Sequence, residues 1–433
     1  MSGVDWRFRA LAAAYAVSAY GNYLNLIALS LFSYEVTDSA FGVGATMALR
    51  LFSGFLAGLA SGALLGRATR RTVMICTDAA QAGAMAVLAL FATDTPLWLL
   101  GAAVVVLGAG NTFFSVALRS AVPVLVGHES RAGANGLLVT ARSVATVLGF
   151  ASAAPVIGFG GFGTAFAVNA ASFVVCGAVV VLLRPRTDSE GEDGGDGGDG
   201  GDGGDGGVKA APGGRSRFLR GAVVGVPAVV LGMVLLRGMD ALASSSHNVA
   251  LPVAAHATAP DEPALFMTRF WVAWAVGTFA AHFVLKRRKG EGSWGERAFV
   301  LGTCAMSLSF IAAFTGLPAP LLVLAAGAAG FADGWTEIVY TSRLQAAPER
   351  QRSRLFGLSA TAETTGFAVG TVAAAAALEA LPTLAVVSVF HGLAVAGAVV
   401  LLLFAARRRT GGGTTREPSA VDSSHSSQPV DGR

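Results

Sequence analysis

Nine ionisable side chains interrupt stretches of the chain that are otherwise apolar, and they are the residues best placed to do chemistry. They are Arg50, Asp78, Arg142, Arg237, Asp240, Arg269, Asp333, Glu337 and Glu363. An ionisable side chain inside a long apolar helix costs several kcal/mol, so it is usually paired with another charge or serves a functional site. These residues are therefore the first candidates for ligand binding or proton transfer.

Two pairs within this set have helical spacing. Arg237 and Asp240 are three residues apart, and Asp333 and Glu337 are four apart, so each pair shares one helix face. Two carboxylates on one face in apolar surroundings cannot both stay ionised unless a cation lies nearby, so one of them should bind a proton. We predict proton coupling by Asp333, Glu337 and Asp240. The alternative is a purely architectural Arg237–Asp240 pair that fixes the helix register.

Polar residues within the apolar stretches form a second set of candidates. Amides and hydroxyls at mid-span either line a substrate cavity or join helices by hydrogen bonds, and both interpretations stay open here. The predicted substrate-binding residues are Asn22, Tyr23, Asn25, Asn111, Thr112, Arg237, Asp240 and Asp333. His247 and His391 are more typical of helix packing than of a proton relay.

The elements that must hold these residues are long apolar helices. Hydrophobic residues make up 53% of the 433 residues and charged residues only 13%, whereas a soluble domain has about 25% charged residues. Stretches that approach the roughly 20 apolar residues needed to cross a bilayer lie near 8–33, 41–65, 72–92, 97–118, 134–157, 162–183, 222–252, 265–285, 298–315, 319–340, 355–378 and 383–404. The sequence therefore predicts an all-α membrane protein with twelve transmembrane helices in two pseudo-symmetric six-helix bundles.

The basic residues divide between the two sides of the predicted membrane. Of 31 Lys and Arg residues, four lie inside spans, and the rest fall in the termini, the central linker and alternate loops. The intervening loops contain none. Because cytoplasmic loops are enriched in Lys and Arg, we predict a multi-pass protein of the cell membrane with both termini in the cytoplasm. The isoelectric point near 9.2 reflects this orientation, so nucleic acid is not an expected partner.

A third set of candidates lies at or near the predicted cytoplasmic helix ends. Basic and acidic side chains at this depth can form an ion-pair network that closes the cytoplasmic side. The predicted gate residues are Arg67, Arg70, Arg71, Asp78, Arg142 and Glu363.

The chain divides at its most polar segment. Residues 184–219 contain a Gly-Gly-Asp repeat that cannot form an apolar core, so we predict a flexible cytoplasmic linker. It separates an N-terminal bundle, residues 1–183, from a C-terminal bundle, residues 220–406, and residues 407–433 form a predicted disordered tail. The three cysteines lie in apolar spans, and neither a metal site nor a cofactor is expected. No constellation typical of an enzyme occurs.

Several stretches resemble a known transporter family. SAYGNYLNLIALSLFSYEVTDSAFGVG and ALRLFSGFLAGLASGALLGRATRR are similar to the start of major facilitator superfamily exporters. NTFFSVALRSAVPVLVGHESRAGANGLLVTARSVATVLG and EIVYTSRLQAAPERQRSRLFGL resemble the drug-efflux branch that contains macrolide efflux proteins and enterobactin exporters. Gly66 stands where the superfamily usually has Asp, and Phe150 follows Gly149 where the exporter signature has Pro.

The resemblance implies a secondary transporter, not an enzyme, that works by alternating access. We expect a monomer in the lipid bilayer that exports a small amphipathic or hydrophobic compound, such as an antibiotic or secondary metabolite, with protons as the coupling ion. A siderophore or lipid transporter of the same fold is an alternative. A non-transporting membrane receptor or assembly factor is a further alternative from another class.

Overall fold

The computed structural model describes residues 5–184, 228–287 and 296–411, and these residues form helices with no strand among them. The predicted linker beyond Arg184 and the predicted tail beyond Gly411 lie outside the described residues. The first half of the chain contains α1 Trp6–Thr37, α2 Ala40–Leu65, α3 Arg70–Leu90 and α4 Leu97–Leu183. The second half contains α5 Ala228–Thr258, α6 Pro263–Arg287, α7 Glu296–Ala313, α8 Ala319–Gln345, α9 Glu349–Leu378 and α10 Thr383–Gly411.

Helix α4 is broken at two glycines. Gly127 has φ 71° and ψ 171°, and Gly161 has φ 68° and ψ −177°, backbone conformations that glycine adopts without a Cβ penalty. The breaks reverse the chain, because Leu100 in the first segment and Phe166 in the last segment share one apolar cluster. The three segments, 97–126, 128–160 and 162–183, therefore cross the fold in alternating directions.

Apolarity and length identify the membrane-crossing helices. Nine stretches of the described residues are long and apolar enough to cross a membrane, and one of them, Gly133–Leu183, contains the break at Gly161. Helices α1 and α9, of 32 and 30 residues, are also long enough but more polar. The all-helical membrane fold is thus confirmed, and division of α4 at its two glycines gives twelve helical segments in the described part of the chain.

The most extensive contacts lie within each half of the chain. Helices α1 and α3 pack on α4, while α5 packs on α9 and α10, and α8 packs on α6 and α7. We call the end of the molecule where α1 begins the terminal end, and the end where α1 and α5 finish, at Thr37 and Thr258, the distal end. The sequence predicts that the terminal end faces the cytoplasm.

The two halves meet in the distal part of the molecule. Helix α2 packs on α9, where Gly44 lies against Ala375, and segment 128–160 packs on α6, where Phe150 lies against Trp271. Across the halves, the Glu379 carboxylate accepts hydrogen bonds from the Phe41 backbone N–H at 2.7 Å and the Ser39 hydroxyl at 2.8 Å. The distal end is therefore closed by packing and hydrogen bonding between the halves.

Candidate functional site

One guanidinium joins three helices of the second half. On α5, the Arg237 Nη1 donates to Asp240 Oδ2 at 3.2 Å, and its Nη2 donates to Glu337 Oε2 on α8. Its Nε lies 3.6 Å from Glu363 Oε1 on α9. The predicted proximity of Arg237 and Asp240 is present, and the partners from α8 and α9 are additional.

Tyr340 and Ser359 extend this network. The Arg237 guanidinium carbon lies 5.8 Å from the centre of the Tyr340 ring, a cation–π contact. The Tyr340 hydroxyl donates to Ser359 Oγ at 2.8 Å, and the Ser359 hydroxyl donates to Glu363 Oε1 at 2.6 Å. The Tyr340 ring on α8 therefore orients Arg237, and the Ser359 hydroxyl on α9 orients Glu363.

Asp333 adds a fourth carboxylate to the group. It lies one turn before Glu337 on α8, is half-buried, and is within electrostatic range of Arg237. We call Asp240, Asp333, Glu337 and Glu363 the acidic cluster. Four carboxylates around one guanidinium cannot all stay ionised in apolar surroundings, so at least one of them is expected to bind a proton. The side chains differ in access: Asp240 is 6% exposed and Glu337 is 49% exposed.

The first half carries cations instead of acids. The Arg142 Nε donates to the Tyr23 hydroxyl at 2.8 Å, and Arg50 of α2 lies within electrostatic range of the same tyrosine. Arg142 is exposed and Arg50 is half-buried. Neither arginine makes an ion pair with the described residues. We call Arg50 and Arg142, with Tyr23 between them, the cationic cluster; sequence reasoning placed Arg142 in the gate and gave Arg50 no role.

An aromatic contact chain leads from this cluster to the second half. The Tyr23 ring meets Phe150 edge-on at 5.4 Å, and Phe150 stacks on Trp271 of α6 at 5.5 Å. Trp271 in turn meets Trp274 edge-on at 5.5 Å. We call these four rings the aromatic bridge; Phe150 and Trp271 are buried in it, whereas Tyr23 and Trp274 are half-buried.

The predicted polar residues of the first half separate into two kinds. The Asn22 amide donates to Asn111 Oδ1 at 3.3 Å and so joins α1 to α4, and the Thr112 hydroxyl donates to the backbone carbonyl of Gly108 at 3.1 Å. All three side chains are half-buried. Asn25 is fully buried, with no hydrogen-bond partner for either side-chain polar atom among the described residues. In this conformation Asn22, Asn111 and Thr112 are accessible to a ligand, whereas Asn25 is not.

The predicted gate residues at the terminal end of the first half bind within that half. The Arg70 Nε donates to Ser120 Oγ at 3.1 Å, and the Arg71 Nη2 donates to the Val181 carbonyl at 3.1 Å. Arg67 is exposed. Asp78 is 1% exposed, and neither carboxylate oxygen has a hydrogen-bond partner among the described residues. Their role in a gate stays a prediction.

Two histidines that looked isolated in the sequence are paired in the structure. His247 Nδ1 lies 3.2 Å from His391 Nε2, and His391 Nδ1 lies 3.2 Å from Ser307 Oγ. The His247 ring stacks on Phe310 at 3.7 Å. A neutral histidine ring has one N–H donor and one acceptor nitrogen. Two neutral rings can therefore make both of these hydrogen bonds, and neither histidine has to be protonated. The arrangement fits the predicted packing role.

Comparison with known proteins decides the family. A family model described as Major Facilitator Superfamily matches residues 11–290. The chain belongs to the major facilitator superfamily. This member of the superfamily is therefore a multi-pass membrane transporter and not an enzyme. A search of curated proteins finds no significant match by sequence.

Solved transporter structures share the fold of this superfamily member. The POT family transporter PepTSo matches with a TM-score of 0.68 and 13% identity, over 94% of this chain and 99% of that one. The nucleoside transporter NupG matches with a TM-score of 0.65 and 13% identity, over 92% and 99%. An auto-inhibited POT family peptide transporter gives a TM-score of 0.68 and 13% identity, over 93% and 97%. At these identities the likeness concerns the fold alone.

Proposed function

We propose that this transporter exports a small amphipathic compound across the cell membrane and is driven by protons. The observation that carries the proposal is the Arg237 guanidinium shared by Asp240, Glu337 and Glu363, three carboxylates on three helices. A proton bound by one carboxylate removes one of these ion pairs and so changes how α5, α8 and α9 are held together. Charged groups inside a membrane protein commonly serve as such proton relays.

The distal closure supports a conformation that is open at the terminal end. The described contacts between the halves involve distal residues such as Gly44, Phe150 and Glu379. Glu337 and Arg142 lie nearer the terminal end, and their side chains are exposed. With the terminal end in the cytoplasm, substrate reaches the space between the halves from the cytoplasmic side. Rocking of the halves around this space then exposes the substrate to the opposite side.

The side chains beside this space suit an amphipathic compound. The substrate-binding residues we propose are Asn22, Tyr23, Asn111 and Thr112 in the first half, with Arg237 and Asp333 in the second; Asp240, like Asn25, is buried in this conformation. The half-buried rings of Tyr23 and Trp274 supply apolar contact, and the amides and charges supply orientation. Such a combination of apolar surface with a few polar groups is typical of small-molecule sites.

Proton coupling is tested in proteoliposomes that contain the full chain. Vesicles loaded with the pH indicator pyranine report proton movement when amphipathic compounds from a test panel of cations, anions, neutral compounds and zwitterions are added one at a time. Asp333→Asn and Glu337→Gln mimic the protonated carboxyl at nearly constant shape, so we expect proton-driven transport to fail while exchange of substrate down its own gradient survives. Glu262→Gln, an exposed carboxylate in the distal loop, is the matched control and should transport at the parental rate. Parental rates in both Asp333→Asn and Glu337→Gln would make the acidic cluster architectural and the proposal wrong.

A further inference from the structure

The two halves carry opposite charge on the helices that face each other. In the first half, Arg50 on α2 and Arg142 on segment 128–160 have no acidic partner among the described residues. In the second half, the acidic cluster sets four carboxylates against Arg237. The local charge is therefore positive on these helices of the first half and negative on α5, α8 and α9 of the second.

Each cluster lies on helices that contact the opposite half. Helix α2, which carries Arg50, packs on α9, which carries Glu363, and segment 128–160, which carries Arg142, packs on α6. The Arg142–Tyr23 hydrogen bond adjoins the aromatic bridge, and that bridge reaches Trp271 in the second half. The first half thus presents cations beside Tyr23, and the second half presents carboxylates on α5, α8 and α9.

The chemistry of the two flanks is complementary. A guanidinium presents five N–H donors in a planar fork that matches a carboxylate, and only the Nε of Arg142 is used by Tyr23. On the other flank, Glu337 is 49% exposed and Glu363 is 37% exposed, so both keep carboxylate surface that an ammonium group can reach. Charge-assisted hydrogen bonds of this kind are about twice as strong as neutral ones.

We propose that the transported compound is a zwitterion. Its anionic group binds Arg50 and Arg142, its cationic group binds Glu337 and Glu363, and its apolar body lies against the half-buried rings of Tyr23 and Trp274. This inference rests on the proposed transport function and defines the substrate class for the same site. Because the two charges of one molecule bind opposite halves, such a substrate also draws the halves together at the terminal end, which is the movement that alternating access requires.

The test measures binding, which does not depend on transport. The probes are phenylalanine, diphenylalanine and triphenylalanine peptides, each as the zwitterion, the C-terminal amide, the N-acetyl form and the form blocked at both ends. Dissociation constants are measured on the purified full chain. We expect the zwitterion of at least one scaffold to bind about tenfold more tightly than either singly blocked form, since each lost charge-assisted bond costs roughly a factor of ten or more. Lysophosphatidylethanolamine, which carries both charges on a lipid, separates a lipid zwitterion from a soluble one.

Two variants assign the two charges. Arg142→Gln should remove the advantage of the zwitterion over the amide, which lacks only the carboxylate. Glu337→Gln should remove its advantage over the N-acetyl form, which lacks only the ammonium group. Arg269→Gln, an exposed span arginine outside both clusters, is the control and should keep both preferences.

The outcomes separate this inference from the proposed function. Equal binding of zwitterionic and blocked forms, or no binding by any scaffold or by the lipid, overturns the zwitterion assignment. Zwitterion-selective binding without proton-linked transport leaves the assignment standing and contradicts proton-driven export. Proton-linked transport of compounds that carry one charge or none contradicts the assignment alone.

Discussion

At the scale of the residue, the carboxylates that share Arg237 differ in access to water. Asp240 binds the guanidinium from the same helix at 3.2 Å and is 6% exposed, whereas Glu337 reaches it from α8 and is 49% exposed. A buried charge that loses its partner is strongly destabilising, but an accessible one is solvated instead. The two side chains should therefore differ in what their removal does to stability.

We predict that Asp240→Asn destabilises the protein more than Glu337→Gln does. The first change removes the buried partner of Arg237, which keeps Glu337 and Glu363, and buries an amide in place of the paired carboxylate. Its cost should therefore exceed the cost of the second change, which should be about 1 kcal/mol or less. Thermal unfolding of the detergent-purified variants measures the difference. The two variants serve as controls for each other, because both replace a carboxylate bonded to the same guanidinium with an amide. Equal losses in unfolding temperature would contradict the distinction between the buried and the accessible carboxylate.

Spacing along the chain predicted part of this site and missed the rest. Helical periodicity places Arg237 beside Asp240, because residues three apart share a face, and the structure has that contact. Glu337 is 100 residues from Arg237, and His391 is 144 residues from His247. Contacts between helices depend on how those helices pack, which spacing within one helix does not report. For the same reason spacing assigned no role to Arg50, while the gate role predicted for Arg142 and Glu363 stays a prediction.

At the scale of the element, the distal closure depends on the close approach of α2 and α9. A Cβ built on Gly44 would lie 2.2 Å from the Ala375 Cβ, a distance that forces the helices apart. Gly62 lies on the same helix, and a Cβ there would meet nothing within 4 Å. The two glycines therefore form a matched pair for testing the closure.

We expect Gly44→Ala to shift the protein towards a state that is open at the distal end, and Gly62→Ala to leave the distribution unchanged. Labelling of a cysteine introduced at Ala40, a buried residue at the distal end of α2, with a membrane-impermeant maleimide, in a background without native cysteines, measures opening at the distal end. Gly44→Ala should increase the labelling rate several-fold over the parental glycine. An unchanged rate in Gly44→Ala would show that α2 and α9 do not close the distal end.

The hydrogen bonds to Glu379 should make the distal closure sensitive to acid. The Phe41 backbone N–H and the Ser39 hydroxyl hold the pKa of Glu379 below its ordinary value, so the closed state is stabilised when this carboxylate is ionised. That contribution is present above the ordinary pKa of a glutamate and is lost as the pH falls through the lowered value. The distance between spin labels at Asp94 and Thr315, which lie at the distal ends of the two halves, should therefore lengthen in acid, below about pH 4.5. The Glu379→Gln variant should be more open at the distal end at pH 7, and its distal end should no longer respond to acid. If the variant still responds to acid like the parental protein, the acid sensitivity does not come from Glu379.

At the scale of the whole molecule, the sequence predicted the helical membrane fold well. Apolar length alone locates most of the helices, because a span needs roughly 20 apolar residues. The breaks within α4 fall where the sequence placed loops, near 119–133 and 158–161, and the structure makes each turn at one glycine, Gly127 and Gly161. Helix ends were less accurate: the predicted span 222–252, whose first residues lie outside the described part of the chain, ends before α5 does, at Thr258. The way the halves meet was not predictable, because it depends on pairs such as Gly44 with Ala375 from distant parts of the chain.

The first prediction for the whole molecule concerns its orientation in the membrane. The distribution of Lys and Arg predicts that the linker near Asp199 and the tail near Ser424, both outside the described residues, face the cytoplasm. Cysteines introduced at these two positions should stay unlabelled by an impermeant reagent in intact cells and should react after permeabilisation. Thr315, in a distal loop, provides the positive control when changed to cysteine. Labelling of the linker or the tail in intact cells would reverse the predicted orientation.

Proton-driven alternating access is tested most directly by measuring the distance between the halves at each end of the molecule at different pH values. Spin-label pairs at Asp94 and Thr315 report the distal end, and pairs at Arg184 and Ala346 report the terminal end. If proton binding to the acidic cluster drives the movement, acidification from pH 8 to pH 5.5 shortens the terminal-end distance and lengthens the distal-end distance in the same molecules. The double variant Asp333→Asn, Glu337→Gln, which lacks both carboxyls of α8, should show no such pH dependence. Distances that stay constant with pH in the parental protein, or that change equally in the double variant, would contradict proton-driven alternating access through the acidic cluster.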